Sequence, residues 1–229
     1  MTHSTTADAP AEARAGASPR FDALSALDSS GMATARTCVS GETIYAQGDA
    51  CEHVMYVRTG NVKLSVVSND GREAVVAVLG PGNFFGDACL GGQQVRTGSA
   101  AAVGPTEILL IATEDMAELL RQNRDLSRWF ISHVISRIVR VEEDLLDQLL
   151  NPAEKRLARA LLRLARQGEA GARKRSLPHV SQETLAGMIG TTRSRVNFFL
   201  NKFKRSGFIA YGSEAPITIN KSLLSIMRH

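Results

Sequence analysis

The periodicity of the apolar residues passes from strand-like to helical at Thr113. Before it, short β-rich runs recur at Thr43–Ala46, Val54–Arg58, Val62–Val67, Ala74–Leu79, Gly98–Val103 and Glu107–Ile111. Turn-forming residues separate them, at Gly41, Gly48, Gly60, Asn69-Asp70-Gly71 and Gly80-Pro81-Gly82. The Asn-Asp-Gly triplet predicts a hairpin between its flanking runs. Val62, Leu64 and Val66 alternate with Lys63 and Ser65, so one face of that strand is expected to be buried. Many short strands at this spacing imply a sandwich or a barrel. A chain whose run of strands precedes its run of helices is α+β.

After Thr113 the period is helical. Glu114–Arg121 predicts a short helix and Leu126–Leu150 a long one. Within the long helix Ile131, Val134, Ile138, Val141 and Leu145 recur as a heptad seam, and Ile135, Val139, Leu146 and Leu149 widen it. A helix apolar on two sides needs two partners: its own barrel and, for a seam this regular, the same helix of a second subunit. Asn151-Pro152 ends it, because the residue before proline is pushed out of the α region. That pair is the natural hinge. Ala153–Arg166 then predicts a helix with Leu157, Ala160, Leu161 and Leu164 inward, followed by a basic, mobile loop at Gly168–Arg175. At the other end, residues 1–20 carry almost no large apolar side chain and are expected to be disordered, with a short helix from Phe21 to about Leu27.

Ser181 to Phe208 reads as two helices around a glycine. Ser181 is an N-cap, and Leu185, Met188 and Ile189 share one helical face. Gly190 supplies the turn, Thr191 or Thr192 caps a second helix that runs to about Arg205, and Gly207 ends it. On the second helix Val196, Phe199, Leu200 and Phe203 face the first, whereas Ser194, Asn197, Phe198, Asn201 and Arg205 face away, with Arg193 at the leading edge. This is the spacing of a DNA-binding helix-turn-helix. Spacing alone equally fits an ordinary helical hairpin with a solvated polar face. Phe208–Tyr211 and Ile217–Ile219 then suggest the hairpin of a winged helix, and Ser222–Met227 a closing helix.

Charge separates the two readings. Residues 152–229 hold 15 Lys and Arg against 4 Asp and Glu, a net of +11; residues 1–151 hold the other 12 and 19, a net of −7, which together give the chain's +4. A basic domain beside an acidic one is the footprint of nucleic-acid binding, and the asymmetry follows the helix-turn-helix. Cys38, Cys51 and Cys89 are odd in number and widely spaced, fitting free thiols better than a disulfide framework or a zinc site. No run of eighteen apolar residues predicts a membrane span, and the N-terminus lacks the pattern of a secretory signal, so a cytoplasmic protein is expected.

The order of barrel, long helix, hinge and winged helix-turn-helix resembles the CRP/FNR family of bacterial transcription regulators, over residues 21–229. Two motifs carry the resemblance: the helix-turn-helix, and Phe85-Gly86-Asp87-Ala88-Cys89-Leu90 followed by Arg96-Thr97, which looks like the family's phosphate-binding cassette. The resemblance implies a disordered tail at 1–20, an effector-sensing barrel at 21–125, a dimerisation helix and hinge at 126–151, and a winged helix-turn-helix at 152–229. It implies effector contacts at Gly86, Asp87, Ala88, Cys89, Arg96 and Thr97, and at Arg137 and Val141 of the long helix. Gly86 would let the backbone approach a ligand, the amides of Asp87–Leu90 would face a phosphate, and Arg96 would pair with it. A structural role for Arg96, bridging a loop to the barrel, is the competing reading. Asp87 stands where the family has a glutamate on a ribose hydroxyl, and Val141 and Glu142 stand where members that bind cyclic AMP offer Thr and Ser. The implied effector is therefore another cyclic nucleotide, a cyclic dinucleotide, a different ligand, or none. The four-cysteine iron–sulfur sensor of the FNR branch is excluded by the count of three cysteines. For haem, His53 and Cys89 are suitable residue types, but nothing singles them out.

Where the family reads bases with Arg, Glu and a later Arg, this chain has Arg193, Ser194 and Phe198. Arg193 suits guanine, and Phe198 suits contact with a thymine methyl. The half-site should therefore differ from the usual family sequence. Gln182, Thr191, Thr192 and Arg195 are expected on phosphates, and Asn197, Asn201 and Lys202 complete the DNA-binding set. The expected partners are double-stranded DNA, a second copy of the chain and RNA polymerase. A ligand-independent regulator and a nucleotide-sensing adaptor that leaves DNA alone are the alternatives. An enzyme with a cupin-like barrel would need a metal cluster, and the barrel span holds one histidine, His53, with no partner at metal-ligand spacing.

Overall fold

Eight antiparallel strands build the first half of the protein, in a computed structural model that describes residues 22–167, 175–177, 180–210 and 217–228. One four-stranded sheet has the order β1 (Ala33–Cys38), β8 (Thr106–Ala112), β3 (His53–Thr59), β6 (Phe84–Phe85). The other has the order β2 (Thr43–Tyr45), β7 (Ser99–Ala102), β4 (Val62–Val67), β5 (Glu73–Leu79). Between them lie Ile44, Met55, Val57, Val62, Leu79, Phe85 and Ile108. The outer face of the first sheet carries a second apolar layer, in which Val54, Tyr56, Phe84 and Leu109 meet α1 (Ala23–Ser30), α2 (Thr113–Gln122) and α3 (Arg124–Leu150). β3 is thus covered on both faces, which is why its sequence is apolar at consecutive positions.

Three short strands escaped the pattern. β1 is a half-exposed edge strand with the sequence ATARTC, and β6 spans only two residues, so neither carries a readable period. The third, β9 (Arg175–Ser176), falls at the end of the expected basic loop and pairs with β11 (Thr218–Ile219), which in turn pairs with β10 (Ile209–Ala210). The wing is therefore a three-stranded sheet rather than a hairpin. The expected N-terminal tail, the loop at 168–174 and Tyr211 lie outside the described residues.

The simple alternation expected in β4 is also corrected. The β4–β5 register shifts between Leu64 and Ser65: Leu64 pairs with Ala77 and Ser65 with Val75, leaving Val76 as the extra residue of a bulge. Residues three apart on a regular strand point to opposite faces. The bulge instead brings Val75 and Val78 to one side, where both join the apolar core of the C-terminal half. Ser65, opposite Val75, is consequently buried, while Val66 is exposed.

α3 is capped by the Asn123 side chain, which accepts from the Leu126 N–H at 2.9 Å. Only Leu126, Phe130 and Asp147 along it are buried. Ile131, Ile135, Ile138, Val139, Val141, Leu145 and Leu149 lie between 47% and 71% exposed, so a single chain leaves this seam uncovered. Asn151 leaves the helix with an extended backbone, and α4 (Ala153–Gln167) begins after Pro152. Leu157, Leu161 and Leu164 of α4 are fully buried against α5 (Gln182–Ile189), α6 (Arg193–Arg205) and a closing 3₁₀ helix (Lys221–Arg228), where an ordinary short helix was expected. Burial of each such side chain contributes roughly 1.5–3 kcal/mol.

Candidate functional site

The turn after β6 builds one end of a cavity of about 340 Å³. Gly86 takes φ +70°, and a Cβ there would lie 2.6 Å from Nη1 of Arg96 and 2.9 Å from Sδ of Met55, so only glycine fits. A short 3₁₀ helix (Asp87–Gly91) follows. Arg96 is 5% exposed. Its Nη1 donates to the Gly86 carbonyl at 2.8 Å and its Nη2 to the His53 carbonyl at 2.7 Å. The guanidinium lies 4.4 Å over the Tyr45 ring. Its Nε is buried without a hydrogen-bond partner. Burial pushes the Tyr45 hydroxyl up to about 12, with the Arg96 charge opposing.

Gly86, Asp87, Ala88, Arg96 and Thr97 line this cavity together with Arg137 and Val141 of α3. The sequence thus brings seven of the eight expected effector residues to one wall. Cys89 is the exception: it is buried in the barrel–helix core, with its Sγ donating to the Gly86 carbonyl at 3.3 Å. Cys51 joins it there as a free, buried thiol whose pKa is raised by burial, and Cys38 is free and buried between the sheets. Asp87 and Arg137 form a two-pronged ion pair at 2.8 and 2.7 Å. Both side chains face the cavity already engaged with each other. Among the described residues no group of three or more His, Cys, Asp or Glu is placed to hold a metal.

Tyr45, Arg140, Arg163, Leu164 and Met188 also line the cavity, where no sequence signal placed them. They come from β2, α3, α4 and α5, and only the fold brings these elements together. Arg163 pairs with Asp144 of α3. Asp147, one turn further and almost fully buried, pairs with Arg159 at 2.8 Å.

The second candidate surface is α6. Ser181 and Thr192 cap α5 and α6 by accepting from the Thr184 and Arg195 N–H groups at 3.0 and 3.3 Å. Gly190 sits in the left-handed region at φ 61° between them. Val196, Phe199, Leu200 and Phe203 are buried, as their spacing predicts. Thr192, Arg193, Ser194, Arg195, Asn197, Phe198, Asn201 and Lys202 are exposed, and Gln182 and Thr191 half-exposed beside them. Phe198 is 59% exposed, with its ring edge-on to that of Phe199 at 5.6 Å. The Asn201 side-chain Nδ2 donates to Oδ1 of Asn197 at 3.2 Å, and Lys202 turns back to Glu154 of α4 at 2.8 Å.

Residues 35–123 match the model of the cyclic nucleotide-binding domain, and residues 155–222 match that of the Crp-like helix-turn-helix domain. The chain is 33% identical over 173 residues to the cyclic AMP receptor protein of Thermus thermophilus, covering 75% of this chain and 77% of that one. It belongs to the CRP/FNR family of transcription regulators. A second CRP/FNR relative, the global nitrogen regulator of Nostoc sp., is 30% identical over 184 residues, covering 79% of this chain and 82% of its own. FixK2 from Bradyrhizobium japonicum, at 24% identity, shares the fold with a TM-score of 0.74 over 85% of this chain and 96% of its own. As a CRP/FNR regulator the protein binds DNA through its helix-turn-helix domain and acts on transcription.

Proposed function

We propose that the protein is a homodimeric regulator that reads a palindromic promoter site and is controlled by a small anionic effector held at the Arg96 cavity. The observation that carries the effector is the Arg96 Nε, buried in the cavity wall with its hydrogen-bonding capacity unused. A buried charged donor without a partner is costly, and a phosphate oxygen would satisfy it. The cavity's volume is at the small end of the range for ligand sites. A cyclic nucleotide or cyclic dinucleotide supplies the matching chemistry. The Thermus relative is a cyclic AMP receptor protein. Cyclic AMP itself suits this chain less well, because Val141 offers the base no hydroxyl and Asp87 is already paired with Arg137.

The uncovered seam of α3 supports the dimer: seven large aliphatic side chains about half exposed or more are a hydrophobic face that a second copy would bury. The half-sites would then lie about one helical turn apart. Arg193 at the start of α6 would read guanine, Phe198 would press on a thymine methyl, and Gln182, Thr191, Thr192 and Arg195 would hold phosphates. RNA polymerase is the expected protein partner, the cytoplasm the expected location, and no catalytic role is assigned.

A ligand-independent regulator is the second reading, favoured by one observation: both Nη groups of Arg96 already donate to carbonyls. Native mass spectrometry of freshly purified protein tests the two together. The proposal expects a dimer carrying, or able to take up, a nucleotide. A dimer whose affinity for selected DNA is the same before and after stripping and adding nucleotides would establish the second reading.

A further inference from the structure

We infer that the DNA-binding domain is itself a wall of the effector pocket, so that ligand binding and the docking of α5 on β5 are one equilibrium. This rests on the reading of the cavity as an effector site. The cavity runs from Gly86 and Arg96, past Val76–Leu79 of β5, to Arg163 and Leu164 of α4 and Met188 of α5. β5 therefore touches the ligand space and α5 at once. The contact with α5 is close: a Cβ at Gly187 would lie 2.8 Å from Cγ2 of Val75 and 3.3 Å from its backbone nitrogen. Val75 is 8% exposed and belongs to the same apolar core as Leu161, Leu185 and Phe199. Gly187 is the one residue of α5 with no side chain, and it stands where the helix meets the strand.

Beside this junction, polar contacts hold α4 against α3. Arg163 pairs with Asp144, Arg159 with Asp147 at 2.8 Å, and Nη1 of Arg156 donates to the Gln148 carbonyl at 3.1 Å. Arg140 adds a guanidinium to the cavity wall, and with Asp87 and Asp144 already paired the wall favours an anion. Arg163, Leu164 and Met188 complete the cavity only while α5 is docked. A ligand reaching them gains those contacts in the docked state alone and so shifts the population toward it. Docking must raise ligand affinity by the same factor. The outward side chains of α6 are exposed in the docked arrangement, so the DNA face stays available while α5 is docked.

The test is calorimetric titration of the full-length protein with cyclic AMP, cyclic GMP and cyclic di-GMP. Four variants are compared with the wild type: Arg96→Gln, Gly187→Leu, Arg163→Gln, and Val75→Ala combined with Gly187→Leu. Gly187→Leu should weaken the best-binding probe by at least about fivefold, and Val75→Ala should restore the loss by making room for the leucine. Arg163→Gln, which leaves α5 untouched, should weaken binding in the same direction. If Arg96→Gln abolishes binding while Gly187→Leu and Arg163→Gln bind like the wild type, the inference is overturned and the cavity reading stands. A loss in Gly187→Leu that the double variant fails to restore overturns it as well. If none of the three probes binds the wild type, the nucleotide reading falls, and the inference falls with it.

Discussion

Two residues illustrate how local chemistry holds the cavity. Gly86 is fixed by its backbone angle and by the guanidinium packed where a side chain would stand. Gly86→Ala should destabilise the protein by about 1–3 kcal/mol, through left-handed strain and displacement of Arg96, measured by urea unfolding. His133 joins α3 to the strand that leads into the cassette: its Nε2 accepts from the Phe84 N–H at 3.4 Å, and its ring stacks on Trp129 at 5.3 Å. Burial holds its pKa below the ordinary value, with the Arg140 and Arg137 charges adding to the shift and Asp87 opposing it. The unfolded chain therefore binds this proton more readily than the folded one. His133 contributes no penalty above the ordinary value near 6.5, and stability falls as pH drops from there toward the lowered value. Chemical unfolding between pH 7 and 5 should show this decline, and His133→Gln, which keeps an acceptor but cannot take the proton, should flatten it.

At the level of elements, the legible parts were those with long, regular periods. The α3 seam, the α4 core face and both helices of the helix-turn-helix followed from spacing, and the caps at Ser181 and Thr192 from residue type. What stayed hidden was short or irregular. β6 and β9 span two residues each, and the β4–β5 bulge disrupts the alternation that would have revealed the covered face. Seven of the eight expected effector residues reached the cavity through the cassette motif and α3, but Arg163, Leu164 and Met188 lie 67 or more positions away from Arg96. No local pattern links residues that distant. The α3 seam carries its own prediction. Ile138→Glu with Leu145→Glu places carboxylates on a face that is already exposed in one chain, so the fold should survive. Analytical ultracentrifugation should show the dimer replaced by monomer at micromolar protein, and DNA affinity should fall at least tenfold because one half-site is lost.

Across the whole molecule, charge is partitioned: −7 in residues 1–151 and +11 in residues 152–229. Affinity for any DNA should then fall steeply with salt. Arg195→Ala should weaken all sequences alike and reduce the slope of log K against log salt by about one, whereas Arg193→Ala should cost about 1–3 kcal/mol and relax a single base position. Selection from random DNA pools separates the two: an unchanged consensus in Arg193→Ala would remove that residue from base reading. The bulge at Val76 has a consequence for how such a regulator diverges. Deleting Val76 would return β5 to strict alternation with Val75 and Val78 two positions apart, both still facing the helical domain and the pairing with β4 kept. A lineage can therefore reshape the wall of the pocket by a change of length, three nucleotides lost in frame, with the contact between its two halves and the DNA face still in place.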